Sequence, residues 1–510
     1  MSRKRRAAGD SGRRKKKADR YEKRSQRNRT GNAFIILQAL FSIVFMVVLV
    51  LLNILPMNYL MIVGAFLFFL WSLTLNTQVA RRKKGTIGKI ISFVIIFCLV
   101  TGSYYIAKTN NMISQIANGG LKVDKMVVAV LADDPAETLT DAANYNFGVQ
   151  FQRGADNMKA AVLDIENELG SKSIEMTECD SIQQQAQKLH DGEVDAIVYN
   201  QAYTQNLEEA FDNYSSNVKI IYRHDIRTEL DFGTSNSNIT KEPFTVYISG
   251  IDVYGEIDQT SRSDVNIIAV VNPQTCQILL VTTPRDYFVP IPGVSNGISD
   301  KLTHAGIYGI DASMRTLGEL YETDINYYVR LNFTSMINIV DALGGVDVNS
   351  EYAFTTSPNS GVVMDVKQGM NHFDGEEALA FSRERKNLED GDNQRGKNQQ
   401  AVITAMLKKV ISPTMLLKAN TLMDEVGTGL ETNVSQSQIN ALIKYQLSKG
   451  ATWTIKSVAA TGTASREYCY SSSEQSLYVT IPDEDSVQQI IDEVNVVEEG
   501  RIQEDGENLN

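Results

Sequence analysis

Three polar clusters in this 510-residue chain hold residue types that could act together on one substrate. The first is Asp252 with Ser261-Arg262-Ser263-Asp264, two carboxylates placed at the ends of apolar runs. A carboxylate pair, with waters and ligand phosphates completing an octahedron, is how proteins usually hold Mg2+. The second is Pro284-Arg285-Asp286, directly after the apolar run Ile278–Val281. The third runs Arg383-Glu384-Arg385, then Asp392, Arg395, Gln399 and Gln400. Arginine offers planar, bidentate donors suited to phosphate oxygens and stays charged where water is excluded. Asp392, Arg395 and Gln399 are spaced i, i+3, i+7, so a helix would carry them on one face. Each cluster also has a plainer reading. Loop capping with a surface ion pair would explain the first, a strand-terminating turn the second, and a solvated charged face the third. Together, several arginines and a carboxylate pair are what a pyrophosphate–Mg2+ complex requires. No Gly-x-x-x-x-Gly-Lys-[Ser/Thr] loop occurs, so nucleotide hydrolysis has no support.

The elements that must position these clusters are legible as alternating strands and helices. Phe244–Gly250, Val265–Val271 and Gln277–Thr283 read as strands, the last two joined across Asn272-Pro273. Helices are expected at Gly306–Tyr321, Phe333–Ala342, Gly375–Ser382 and Asn398–Val410. The polar run Ser235–Thr240 marks a boundary, with a smaller α/β module before it. In that module Met126–Leu131, Ser173–Met176, Asp195–Tyr199 and Val218–Tyr222 read as strands, and Asp156–Leu169 and Ser181–Leu189 as helices. This alternation predicts βαβ units and a mainly parallel sheet. The fold class is thus α/β: a domain with a central mixed sheet between helices at 240–490, preceded by an accessory α/β module at 120–232. Residues 491–510 are acidic and are expected to be a disordered tail.

Charge and hydropathy divide the chain further. The formal net charge of −12 is the sum of +11 over residues 1–29, +6 over 30–108 and −29 over the remainder. Apolar runs at Ala33–Leu55, Tyr59–Leu75 and Ile90–Ile106 are each about long enough to cross a hydrocarbon core of roughly 30 Å. The tail 1–30 and the Arg81-Arg-Lys-Lys84 loop are basic and the 56–58 connector is uncharged. Positive loops stay inside, so three transmembrane helices within 31–108 place the N-terminus in the cytoplasm and the acidic body outside. A cleaved signal peptide fits poorly. The basic tail suits anionic lipid headgroups, and nothing beside it resembles a fold that reads nucleic acid. The Cys residues number four, with Cys98 inside a span and Cys179, Cys276 and Cys469 widely separated, so at most one disulfide bridge could form and no zinc site is expected.

The chain resembles the LytR–CpsA–Psr family. The resemblance covers about residues 244–412 and is carried by Asp252, Arg262-Ser-Asp264, Asn272-Pro273, Pro284-Arg285-Asp286, Lys301 with His304-Ala305, Leu343-Gly344-Gly345-Val346, and the Arg383-x-Arg385-x6-Asp392-x2-Arg395-x3-Gln399-Gln400 run. Three spans and an accessory module resemble the capsule-associated CpsA-type branch. The module itself looks like a fragment of a periplasmic-binding-protein-like domain. The resemblance implies a membrane-anchored phosphotransferase of the Gram-positive envelope that moves a teichoic acid or capsular polysaccharide from an undecaprenyl pyrophosphate carrier to peptidoglycan. Asp252 and Asp264 then match Mg2+ (or Mn2+) ligands. Arg285, Arg383, Arg385 and Arg395 match pyrophosphate-contacting arginines. Asp392 is a base or an orienting group. Arg262, Lys301 and Gln399 bind pyrophosphate or lipid. The family's apolar tunnel for the polyprenyl tail would draw here on Ile307, Leu317, Phe333, Ile337 and Val340. Tyr287-Phe-Val-Pro290 and Lys397-Asn398 stand where many relatives carry Arg. Partners implied are the lipid-linked glycopolymer, peptidoglycan, membrane lipid and envelope-synthesis enzymes. Two other classes compete: a lipid-binding assembly protein without chemistry, and a membrane-bound regulator.

Overall fold

The structure is a computed structural model and describes residues 30–51, 55–79, 85–116, 120–170, 173–230, 238–252, 257, 260–388, 391–412, 415, 430–503 and 507–509. The basic tail 1–29, the Arg81–Lys84 loop and residues 235–237 of the expected boundary lie outside the described residues, as does the side chain of Asp392. The chain divides into two compact units. One joins the N-terminal helices with residues 439–450, and the other comprises 114–438 and 451–510.

In the first unit, the helices Thr30–Leu51, Met57–Val79 and Gly85–Ile116 contain three segments long and apolar enough to span a membrane. A polar triad ties them together. The buried Gln38 accepts through Oε1 from Thr74 Oγ1 at 2.9 Å and from Ser92 Oγ at 2.8 Å. One residue from each span meets there, because a polar group in an apolar medium gains most from another polar group.

The second unit begins with a five-stranded sheet of β1 (Leu121–Leu131), β2 (Asn146–Val149), β3 (Glu175–Glu178), β4 (Ala196–Asn200) and β5 (Val218–Glu229) in the order β3-β2-β4-β1-β5. The expected mainly parallel arrangement is corrected. β2 runs parallel to β3 and β4, but β1 is antiparallel to both β4 and β5. A buried apolar run such as Met126–Leu131 records burial on both faces but not direction. The helix Ala155–Glu168 buries Met158, Ala161, Val162 and Ile165 against one face. Ile182–His190, N-capped by the Ser181 hydroxyl, covers the other.

Seven strands form the central mixed sheet of the larger domain: 430–432, 327–332, β6 (Phe244–Ile251), β7 (Val265–Asn272), β8 (Gln277–Thr283), 453–459 and 507–509. β6, β7 and β8 are antiparallel neighbours, whereas 327–332 joins β6 and 453–459 joins β8 in parallel. Helices cover both faces. Ile310–Leu320 and Glu484–Glu498 pack Met314, Leu317, Ile490 and Val494 against Ile268, Val270, Leu279 and Val281. On the opposite face, Phe333–Ala342, Gly375–Arg383 and Asp392–Ile411 share a cluster that includes Val340, Phe381 and Val402. The helix expected at Gly306–Tyr321 is two helices, Leu302–Tyr308 and Ile310–Leu320. Gly309 breaks it at φ 126°, where a Cβ would lie 2.4 Å from Asp311 Oδ1. The tail expected to be disordered is corrected over its described part. Residues 491–498 finish a helix whose Val494 and Val497 are buried, and 507–509 pair with 453–455. Apolar residues at helical spacing on its inner face outweigh the acidic ones that face water.

Candidate functional site

A cavity of about 290 Å³ opens where the carboxyl end of β6 meets the amino end of β7. Its mouth is lined by Asp252, Asp264, Arg285, Arg383, Arg385, Arg395 and Gln399. Ile248, Leu331, Met336, Leu379, Ile403 and Met406 supply an apolar part of the same lining. The strand ends account for this convergence. Asp252 follows the last residue of β6, Asp264 precedes the first residue of β7, and Arg285 follows β8, so antiparallel pairing brings residues from three strands to one edge. The helix Asp392–Ile411 then presents Arg395 and Gln399 on one face, as their spacing required.

Charge is balanced tightly at the mouth. Arg285 Nη1 donates to Asp264 Oδ1 at 2.9 Å, and Arg383 Nη2 stands 3.9 Å from Asp252 Oδ1. The Arg383 guanidinium also lies 4.3 Å over the Phe333 ring, which fixes its plane. Burial raises the Asp252 carboxyl above its ordinary value and the charge of Asp264 raises it further, against the pull of Arg383, Arg285 and Arg395. The charge of Asp264 thus works against that of Asp252 beside four arginines that line the same cavity.

Two expected binding residues are not brought to this cavity. Arg262 turns away, placing Nη1 and Nη2 2.5 and 3.2 Å from the Glu209 carboxylate. Lys301 Nζ sits 3.0 Å from Asp286 Oδ1, largely buried. Of the five apolar residues expected in a tunnel, Phe333 lines the cavity, Ile307, Leu317 and Val340 are core, and Ile337 is half-buried outside the lining.

Other residues at the site were given no role from the sequence. Ser357, Asn359, Ser360 and Lys386 form a polar rim. Glu384, between the two arginines, is fully buried. Its Oε1 accepts from the backbone N–H groups of Arg385 at 2.9 Å and Asn387 at 3.1 Å. Its Oε2 accepts from the Ser357 N–H and, at 2.7 Å, from Ser360 Oγ. Burial opposes ionisation, but these bonds outweigh it and hold the carboxyl at about 2. The available signal was the acid between two bases, a poor place for a solvated carboxylate to contribute nothing.

A cavity lined by arginines, a carboxylate pair and apolar side chains therefore sits at the strand ends of an α/β domain. The chain belongs to the LytR_cpsA_psr family, whose model matches residues 197–495. A polyisoprenyl-teichoic acid–peptidoglycan teichoic acid transferase TagU from Bacillus mycoides is 34% identical over 209 residues, covering 41% of this chain and 66% of the relative. The protein of the same name from Enterococcus faecalis is 35% identical over 198 residues, covering 38% of this chain and 63% of the relative. This chain thus spans slightly under two thirds of both relatives. Among solved structures, Bacillus subtilis TagU is 26% identical with a TM-score of 0.40, covering 52% of this chain and all of that one.

Proposed function

We propose that this protein is a membrane-anchored phosphotransferase that moves a glycopolymer from a polyprenyl pyrophosphate carrier to peptidoglycan. The observation that carries this reading is the convergence of Asp252, Asp264 and four arginines at the mouth of one apolar-lined cavity. A hydroxyl of the acceptor attacks the sugar-proximal phosphorus. A new phosphoester bond forms, the pyrophosphate bridge breaks, polyprenyl phosphate leaves with the bridging oxygen, and the hydroxyl proton passes to solvent. Arg285, Arg383, Arg385 and Arg395 neutralise the phosphoryl oxygens, while Ile248, Leu331 and Met406 receive the start of the polyprenyl chain. Transfer of this kind depends on positioning and charge, so no dedicated base is needed.

The carboxylate pair fits a hard divalent cation. Burial raises the Asp252 carboxyl and the charge of Asp264 raises it further, and the second of these is a repulsion that a Mg2+ or Mn2+ ion would relieve. When bound by Asp252 and Asp264, the ion would supply Lewis-acid stabilisation of phosphate charge. The similarly named transferases of Bacillus and Enterococcus support teichoic acid as the polymer, peptidoglycan as the acceptor, and a Gram-positive envelope as the setting. The basic tail and the 81–84 loop support an N-terminus in the cytoplasm and a transferase domain outside.

The test is release of polyprenyl phosphate by the purified full chain, given a polyprenyl pyrophosphate-linked glycan and peptidoglycan. Arg383→Ala and Arg385→Ala should each lower the rate by about 10²-fold or more, with folding intact by circular dichroism. Full activity in both variants would overturn the site. A lipid-binding assembly protein would instead hold the donor and release nothing.

A further inference from the structure

The short segment Thr260–Asp264 delivers Asp264 to the cavity, and its outer side is held by the accessory module. The Thr260 N–H donates to the Val123 carbonyl at 3.0 Å, and its hydroxyl donates to Asp124 Oδ1 at 3.3 Å. Asp124 is buried and braced by Asn200 Nδ2 at 2.9 Å and Lys122 Nζ at 3.1 Å. Two residues on, Arg262 is only 7% exposed. Both its terminal nitrogens reach Glu209, and Nε donates to Asn206 Oδ1 at 3.3 Å. Glu209 and Asn206 belong to the accessory helix Thr204–Ala210.

The larger domain holds the inner side of the same segment. The Thr303 carbonyl accepts the Ser263 N–H at 3.2 Å, and the Gly250 carbonyl accepts the Asp264 N–H at 2.8 Å. Gly306 packs so closely that a Cβ there would lie 2.5 Å from the Ser261 carbonyl oxygen. The segment is therefore clamped from both sides, and its one buried cation is matched by a carboxylate of the other module. A buried guanidinium deprived of its carboxylate must find another acceptor or reach water. Arg262 is separated from Asp264 by a single residue, so either movement displaces Asp264.

We infer that the accessory module is a positioning element of the active site. Through Glu209–Arg262 and the Thr260 tether it sets where Asp264 stands relative to Asp252 and Arg285. Arg262 is accordingly a positioning residue and not a phosphate ligand. The kinetic consequence rests on the transferase reading, but the structural one does not.

The experiment uses the full chain in detergent, with Glu209→Gln as the first variant. Amide exchange in the 260–265 segment should accelerate about tenfold or more, while β2 and β4 exchange as in the wild type. The turnover rate should fall about tenfold, with KM for the lipid-linked donor changing less than about twofold. Adding Glu209→Gln to Arg262→Met should change the rate no further, since the two act as one unit. Unchanged exchange in Glu209→Gln, or losses that multiply in the double variant, would overturn the inference. Should Glu209→Gln loosen the whole unit, Thr260→Val decides: local acceleration at 260–265 supports the clamp and wild-type exchange refutes it. If the wild type transfers nothing, the exchange data still judge the clamp, and the transferase reading alone falls.

Discussion

Glu384→Gln exchanges one carboxylate oxygen for an amide of almost the same shape, at a position where four donors converge on two acceptors. The new NH2 group must face either Arg385 and Asn387 N–H or Ser357 N–H and Ser360 Oγ, setting donor against donor on one side. The drop of the carboxyl from 4.5 to about 2 is worth roughly 3 kcal/mol in favour of its charged form. Losing two charge-assisted bonds gives a similar figure, about 2–4 kcal/mol. At about 2–4 °C per kcal/mol for a domain of this size, the melting temperature at pH 7 should fall by roughly 5–12 °C. The sign with pH follows from a depressed carboxyl. Its contribution is complete above about 4.5 and is lost as the pH falls toward about 2. Wild type and variant should therefore converge in acid. Thermal melts of the full chain at pH 7, 5 and 3.5, followed by near-ultraviolet circular dichroism, measure both effects. A variant within about 0.5 kcal/mol of the wild type at pH 7, or a gap of the same size at pH 3.5, would refute the reasoning. Transfer activity should fall as well, because Glu384 fixes the backbone between Arg383 and the Ser357–Ser360 rim.

Three further outcomes follow from the same geometry. Asp252→Asn should raise the melting temperature at pH 7 by removing a carboxylate that burial and Asp264 disfavour, and the gain should vanish in acid, where Asp252 is neutral; an unchanged melt at pH 7 contradicts this. Gly250→Ala would bring a Cβ within 2.7 Å of Val265 Cβ across the β6–β7 pair, so a loss of about 1–3 kcal/mol is expected in thermal melts, with weaker uptake of a polyprenyl phosphate. Gln38→Leu removes the shared acceptor of Thr74 and Ser92, which should lower resistance of the spans to detergent unfolding by about 1–2 kcal/mol.

The parts of the site that were legible in the sequence are those that local periodicity controls. Arg395 and Gln399 fall on one helix face, and Asp252 and Asp264 fall at strand ends, because spacing and apolar runs decide both. Arg262 and Lys301 could not be placed the same way. Each lies within two residues of a site residue or a short strand, yet its side chain is claimed by Glu209 or Asp286, partners that no spacing rule connects to it. The central sheet shows the same division. β6, β7 and β8 read as strands from their own composition. Strand 453–459 joins β8 in parallel across more than a hundred residues, and its Trp453-x-Ile455 alternation is too short to stand out alone. The accessory sheet failed on strand direction for the same reason: burial is written locally, but pairing is not.

The Gln38 triad constrains how the anchor is made. Its two partners lie 36 and 54 residues further along the chain. At ordinary synthesis rates the last of them emerges roughly 3–10 s after Gln38 itself. Thr74 becomes available first and Ser92 only afterwards, so the Gln38 carbonyl gains its two partners one after the other. The polar contacts that join the three spans are therefore complete only when the third has emerged.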